Sequence, residues 1–157
     1  MRAYRVYRKQ RREAAFTGEG AGIVGARWNL PGTAMVYMSS TISLCLLEFF
    51  VHFDPDVADI IQLNLEYRWA DIPETLPRLE VQEAELPRNW REIPWPQSTQ
   101  ELRTKWMIEA QYVAVSVPSV VLPMEKNLLL NPVHPAFSKI HVGPPLPINI
   151  DPRLYSR

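Results

Sequence analysis

Two charged residues stand where a charge could do chemistry. Arg27 follows Gly18, Gly20, Gly22 and Gly25, four of the six glycines in the chain, and precedes Trp28. A guanidinium offers a planar fork of donors that matches a phosphate, and it stays charged at any working pH. Glycines let a loop bend tightly and bring backbone N–H groups close to an anion. By composition alone the same stretch also reads as a hairpin connection with a surface arginine. Gly20 to Gly25 fits the G-x-G-x-x-G pattern, but that pattern needs a strand before it and a helix after it to receive a pyrophosphate. Ala26 to Gly32 is a turn sequence, so a dinucleotide-binding crossover is not expected.

Glu48 lies in the segment from Ser43 to Phe53, which is apolar around most of its circumference. At about 100° per residue, Cys45, Glu48 and His52 share one narrow stripe. A helix this apolar is expected to be largely buried, which makes the stripe either its solvent contact or the wall of a cleft. In the first case Glu48 is an ordinary exposed acid. In the second it is a partly desolvated carboxylate, the usual setting for catalysis. His52, at the helix end, is expected to meet free carbonyls rather than a ligand. Read from their neighbours alone, Tyr37 in an apolar run is a core residue and Ser119 after Pro118 is a turn hydroxyl.

The elements that must position these groups follow from pattern. Ala3 to Tyr7 is a first strand, and Met35 to Met38 is a short buried one. Ser40 or Thr41 caps the helix, which runs to about His52 and stops before Asp54-Pro55. Val57 to Tyr67 alternates in part and is expected as another strand. Residues 70 to 97 hold five prolines, at 73, 77, 87, 94 and 96, and should be irregular, with a short helix near Leu79 to Leu86. Ser98 and Glu101 form a capping box, placing Leu102, Trp106 and Ala110 on one helical face. Tyr112 to Val117, Ser119 to Leu122 and Asn127 to Leu130 lean towards strand, and Ile140 to Val142 and Ile148 to Ile150 are candidate edges. The expected class is α+β (mixed α/β), with too few helices for a regular doubly wound sheet.

The 157 residues make one domain, 1–157, with 46% hydrophobic residues to build a core. Seventeen basic residues balance seventeen acidic ones, so no net field draws the chain to nucleic acid or anionic lipid. The local excess at Arg2, Arg5, Arg8, Lys9, Arg11 and Arg12 reads as a solvated strand face or, alternatively, as a pocket for phosphates. A single cysteine, Cys45, excludes an intrachain disulfide and a four-cysteine zinc site. Neither a signal peptide nor a membrane-spanning run is visible, which implies a soluble, cytoplasmic protein.

The order of these features resembles the RES family, named for its Arg, Glu and Ser. The resemblance rests on Tyr4-Arg5-Val6, Gly25-Ala26-Arg27-Trp28-Asn29, Tyr37 leading into Leu46-Leu47-Glu48, and the segment from Val117 through Pro118-Ser119 to Pro123. Glu125 to Pro132, with His134-Pro135, completes it. The likeness spans about residues 3 to 145. It departs at Arg103-Thr104-Lys105, where the family has a Gly-Asp type turn before Trp106.

The resemblance implies a fold similar to ADP-ribosyltransferases and diphtheria-type toxins, and cleavage of the nicotinamide–ribose bond of NAD by a glycohydrolase or phosphorylase. The chain would be the toxin of a bacterial type II toxin–antitoxin pair. Transfer of ADP-ribose to a protein is the alternative, and a non-catalytic module is a further one. Carried over by position, the catalytic set is Arg27, Tyr37, Glu48 and Ser119, with Arg5 and Asn131 as NAD-binding residues. No metal and no separate cofactor are implied, since NAD is the substrate. The implied partner is an Xre-like antitoxin that covers the site through its C-terminal domain, in a hetero-oligomer, with a homodimer as another arrangement. A lone carboxylate suffices for such a reaction. Nicotinamide is already a cationic leaving group, and the oxocarbenium-like transition state needs only a nearby negative charge. Arg27 would hold the pyrophosphate or an incoming phosphate, Tyr37 would pack against the nicotinamide, and Ser119 would orient the ribose or Glu48.

Overall fold

The computed structural model describes residues 1–52, 64–151 and 153. Eight strands form one sheet: β1 (Arg2–Arg8), β2 (Val36–Ser39), β3 (Leu65–Asp71), β4 (Arg78–Glu80), β5 (Ala114–Pro118), β6 (Lys126–Leu130), β7 (His141–Val142) and β8 (Leu146–Pro147). Their order is β4-β5-β6-β2-β1-β3-β7, with β8 also pairing to β3. Among the described strands only β4 and β5 run parallel, the remaining pairs being antiparallel. The described helices are α1 (Glu19–Val24), α2 (Ile42–Val51) and α3 (Gln97–Ile108). This is the α+β class expected from the pattern of elements.

Both faces of the sheet centre are buried, which explains why β6 reads as a continuous apolar run. Leu128 and Leu130 join Val36, Met38, Ala70 and Ala114 in one core. Leu129 points the other way, towards Trp28, Val115, Val117, Met107 and Trp90. A third cluster forms under α2, where Cys45 meets Val6 and Leu65.

Several local expectations need correction. The glycine-rich stretch is a helix, not a loop: α1 is bounded by Gly18 at φ 74° and Gly25 at φ 72°, left-handed positions that any other residue would occupy only with strain. A Cβ on Gly18 would also lie 2.6 Å from the Met35 amide nitrogen. Ser119 to Leu122 is a turn after β5, and the last edge is Leu146–Pro147 rather than Ile148 to Ile150. Of the expected strand from Val57, residues 57–63 lie outside the described residues, while Leu65 to Tyr67 open β3. Near Leu79 the chain forms β4 and then a single 3₁₀ turn at Glu83–Glu85.

The helix α3 begins one residue before its expected cap. The Ser98 hydroxyl donates to Asn89 Oδ1, and Glu101 accepts from Gln97, so the capping box does not form. Its buried residues are Thr99, Arg103, Thr104 and Met107, not the Leu102 face, and Ala110 is exposed. The helix turns polar side chains inward because it buttresses a turn: Thr104 Oγ1 accepts from the Leu30 amide, and Gln100 donates to Ala26 and Asn29 carbonyls. Of α2, Thr41 is the cap, accepting from the Leu44 amide at 3.1 Å. Leu47 and Val51 stay 45% and 60% exposed, so that helix is buried on one side only.

Candidate active site

A cleft of about 500 Å³ opens between α2, β1, β2 and the turn that follows α1. Arg5, Arg8 and Arg27 line it, with Tyr37, Glu48, His52, Trp95 and Asn127. The stripe read from the sequence, Cys45, Glu48 and His52, is therefore the wall of a cleft. Among the described residues, Arg5 and Arg27 stand beside one lining carboxylate, Glu48, a balance that favours an anionic ligand.

Each charged group is placed by a short chain of contacts. The Arg27 turn is closed by paired backbone bonds between Ala26 and Asn29. Asn29 is fully buried, and its amide donates to the carbonyls of Ala21, Leu30 and Thr33. Its Oδ1 accepts from the Tyr37 hydroxyl at 2.8 Å, and Tyr37 accepts in turn from the Trp28 amide at 3.1 Å. Trp28 thus enters the core beside Trp90, with ring centroids 5.9 Å apart, while Arg27 points into the cleft. The proline-rich segment supplies the other half of this hold: Arg27 Nη1 donates to the carbonyls of Trp90 and Glu92. Its Nε and Nη2 make no bond among the described residues.

Burial pushes the Arg27 guanidinium below its ordinary value, and the nearby Glu48 charge opposes that shift. Arg5 is likewise lowered by desolvation. Its Nη1 donates to the Tyr37 carbonyl, and its Nε is buried with no hydrogen-bond partner among the described residues. Two desolvated cations beside one carboxylate leave a site that an anion would relieve. The Tyr37 hydroxyl is held well above the usual phenol range by burial, so it acts as a neutral donor to Asn29 rather than as a base.

Glu48 receives two hydrogen bonds on the same oxygen. Ser119 Oγ donates to Oε1 at 2.7 Å, and Asn127 Nδ2 donates to it as well. Ser119 is fully buried, and its oxygen accepts from the amides of Val121 and Leu122, both at 3.0 Å. With those acceptor sites filled, its proton can only point at Glu48. The hydroxyl is a fixture behind the carboxylate, not a nucleophile in the cleft.

Arg27, Tyr37, Glu48 and Ser119 are thus brought together, as is Arg5. Asn131 stands apart: it is fully buried, donates to the Met107 carbonyl and accepts from the Val133 amide. Arg8, Asn29 and Asn127 were not singled out as site residues by sequence reasoning. Arg8 belongs to the basic cluster at the start, whose alternative reading was a phosphate pocket. Asn127 carried no such signal, being one polar residue at the head of an apolar strand. No group of three His, Cys, Asp or Glu that could hold a metal occurs among the described residues.

Fold and site together define a small α+β protein with an arginine-lined cleft and, among the described residues, one hydrogen-bonded carboxylate in its lining. The chain belongs to the RES domain family, whose model matches residues 2–151. It is 33% identical over 157 residues to Toxin Res of Yersinia enterocolitica, spanning 98% of this chain and 99% of that one. It is 35% identical over 120 residues to the Prs ADP-ribosylating toxin of a Sphingobium species, spanning 76% of this chain and 73% of the other. Among solved structures, the Mycobacterium tuberculosis MbcT–MbcA toxin–antitoxin complex contains a chain of the same fold. That match has a TM-score of 0.75 at 18% identity, over 98% of this chain and 86% of that one.

Proposed function

We propose that this protein is the toxin of a bacterial type II toxin–antitoxin pair and that it breaks the nicotinamide–ribose bond of NAD, with water or phosphate as acceptor. The observation that carries the reading is the Glu48 carboxylate, fixed on Oε1 by Ser119 and Asn127 at the wall of a cleft lined by Arg5, Arg8 and Arg27. The cations suit the pyrophosphate, with Arg27 free to offer Nε and Nη2 in its planar fork. Glu48 stabilises the oxocarbenium-like ribose as the C–N bond breaks and nicotinamide departs as a neutral base, its positive charge passing to the sugar. Tyr37 and Trp95 line the same cleft and give the nicotinamide aromatic side chains to pack on. A cleft of about 500 Å³ falls within the ordinary range for small-molecule sites, about 300–1,000 Å³. The partner is an Xre-type antitoxin that covers this mouth.

Expression of the chain without its antitoxin is expected to lower cellular NAD and stop growth. Glu48→Gln keeps the shape and both donors' target atom but removes the charge, so NAD cleavage should fall at least about 100-fold. Incubation with NAD labelled in the adenylate half separates the outcomes. Label in free ADP-ribose or its phosphate supports degradation, and label retained on protein supports ADP-ribosyl transfer. A Glu48→Gln protein that cleaves NAD like the parent would overturn the mechanism.

A further inference from the structure

We propose that Ser39 and Asn127 form a positioning relay that sets which oxygen of Glu48 meets the ribose. This rests on the reading of Glu48 as the residue that stabilises the reacting sugar.

The relay follows from donor and acceptor counting. An ionised carboxylate only accepts hydrogen bonds, so the Asn127 side chain must turn its NH₂ group towards Glu48. That leaves Asn127 Oδ1 facing Ser39, whose hydroxyl lies 2.8 Å away. The oxygen can only accept, so the Ser39 proton must point at it. The order Ser39 to Asn127 to Glu48 is thereby forced by the charge at its end. Ser39 is 2% exposed and Asn127 9%, so each group is held mainly by protein partners rather than by solvent.

Strand register brings the pair together. Ser39 closes β2 directly opposite Asn127 in β6, and Val117 in β5 flanks Asn127 on its other side. Ser39 shares a sheet face with Tyr37, two residues earlier, as Asn127 does with Leu129. Sheet geometry therefore fixes the amide, and the amide fixes a carboxylate carried by α2. With Oε1 engaged by both Ser119 and Asn127, Oε2 is the oxygen presented to substrate. Ser119 by itself holds one point of the carboxylate and leaves it free to swing about that bond. The second donor, on the other lone pair of the same oxygen, restricts that swing by orienting the carboxylate plane.

The role is one of position, so its test must separate catalysis from folding. Asn127→Ala should lower kcat by about 10- to 100-fold, the size expected when a reacting group is misplaced by about 1 Å. KM for NAD should change by less than about 2-fold, because Asn127 does not touch the pyrophosphate arginines. Ser39→Ala releases the amide to rotate and should give a smaller loss, about 3- to 10-fold in kcat. The deciding measurement is the pair of double variants with Glu48→Gln. A relay acting only through the carboxylate adds no further loss once that charge is gone, whereas independent structural damage multiplies. Ser39→Ala keeps the test open if Asn127→Ala does not fold. An Asn127→Ala or Ser39→Ala protein with parental kcat, or losses that multiply in the double variants, overturns the relay while Glu48 keeps its role. Parental activity in Glu48→Gln alone removes both ideas.

Discussion

Arg27 divides its guanidinium between two tasks: Nη1 anchors to the Trp90 and Glu92 carbonyls, and the remaining donors face the cleft. A lysine has one ammonium on a flexible stem and cannot do both. Arg27→Lys is therefore expected to raise KM for NAD about 10-fold or more, the cost of one charge-assisted bond, with a smaller effect on kcat. Initial-rate kinetics would show it, and an unchanged KM would mean that Arg27 does not bind the substrate. At this scale the sequence was informative where a residue broke its surroundings. A lone acid in an apolar helix and an arginine after a run of glycines both stood out. Asn29, Ser39 and Asn127 did not, because their importance lies in partners 8 to 88 positions away, which no local pattern encodes. Asn131 drew attention for its neighbours, yet it serves the Met107 carbonyl outside the cleft.

The helix α3 carries the least expected feature among the elements. Arg103 is fully buried, and its three side-chain nitrogens lack hydrogen-bond partners among the described residues. It lies 3.4 Å from the Trp106 ring centroid and 5.5 Å from that of Trp28. Desolvation pushes its pKa down to about 9. Arginine holds its proton at neutral pH even so, and the cost of burial falls on stability instead. Each ring contact returns about 0.5–2 kcal/mol, and the charge of Glu85 adds Coulombic support, together less than the penalty of desolvating a cation that makes no hydrogen bond. Arg103→Met should therefore raise the melting temperature by about 2–6 °C, measurable by calorimetry. A lower melting temperature would show that the tryptophan contacts outweigh desolvation. Amphipathic periodicity misplaced the inner face of this helix for the same reason: hydrophobicity does not reveal a side that faces backbone donors and acceptors. By contrast, β1, β2 and α2 were legible, since each meets an apolar layer on at least one side.

Across the whole molecule, the two long strands β1 and β3 pair over their full length, and ion pairs tie this ladder near both ends. Arg2 meets Asp71 across the register, and Arg12, just beyond β1, meets the buried Glu66. Hydrogen bonding to Arg12 lowers the Glu66 carboxyl below its ordinary 4.5, and Arg2 lowers Asp71 below 3.8. Groups depressed in the folded state add stability above their unfolded values and lose it as pH falls through the folded ones. Thermal stability should thus be level above about pH 5 and decline below about pH 4.5. Arg12→Ala should flatten part of that decline. An Arg12→Ala protein with the parental slope would show that the Glu66 pair contributes nothing to it. The α+β class and the run of strands could be read from the chain. The order β4-β5-β6-β2-β1-β3-β7 could not, because it depends on pairings between distant segments.

That strand order also sets a timetable. Ser119 and Asn127 follow Glu48 by 71 and 79 residues, and β2 has no neighbour on one edge until β6 is made. A chain leaving the ribosome exposes Arg5, Arg27 and Glu48 early, yet the carboxylate has neither donor to aim it. Non-local pairings of this kind also form slowly. Competence therefore awaits residues 119 to 130 and the closing of the sheet centre, as a property of topology rather than of any inhibitor.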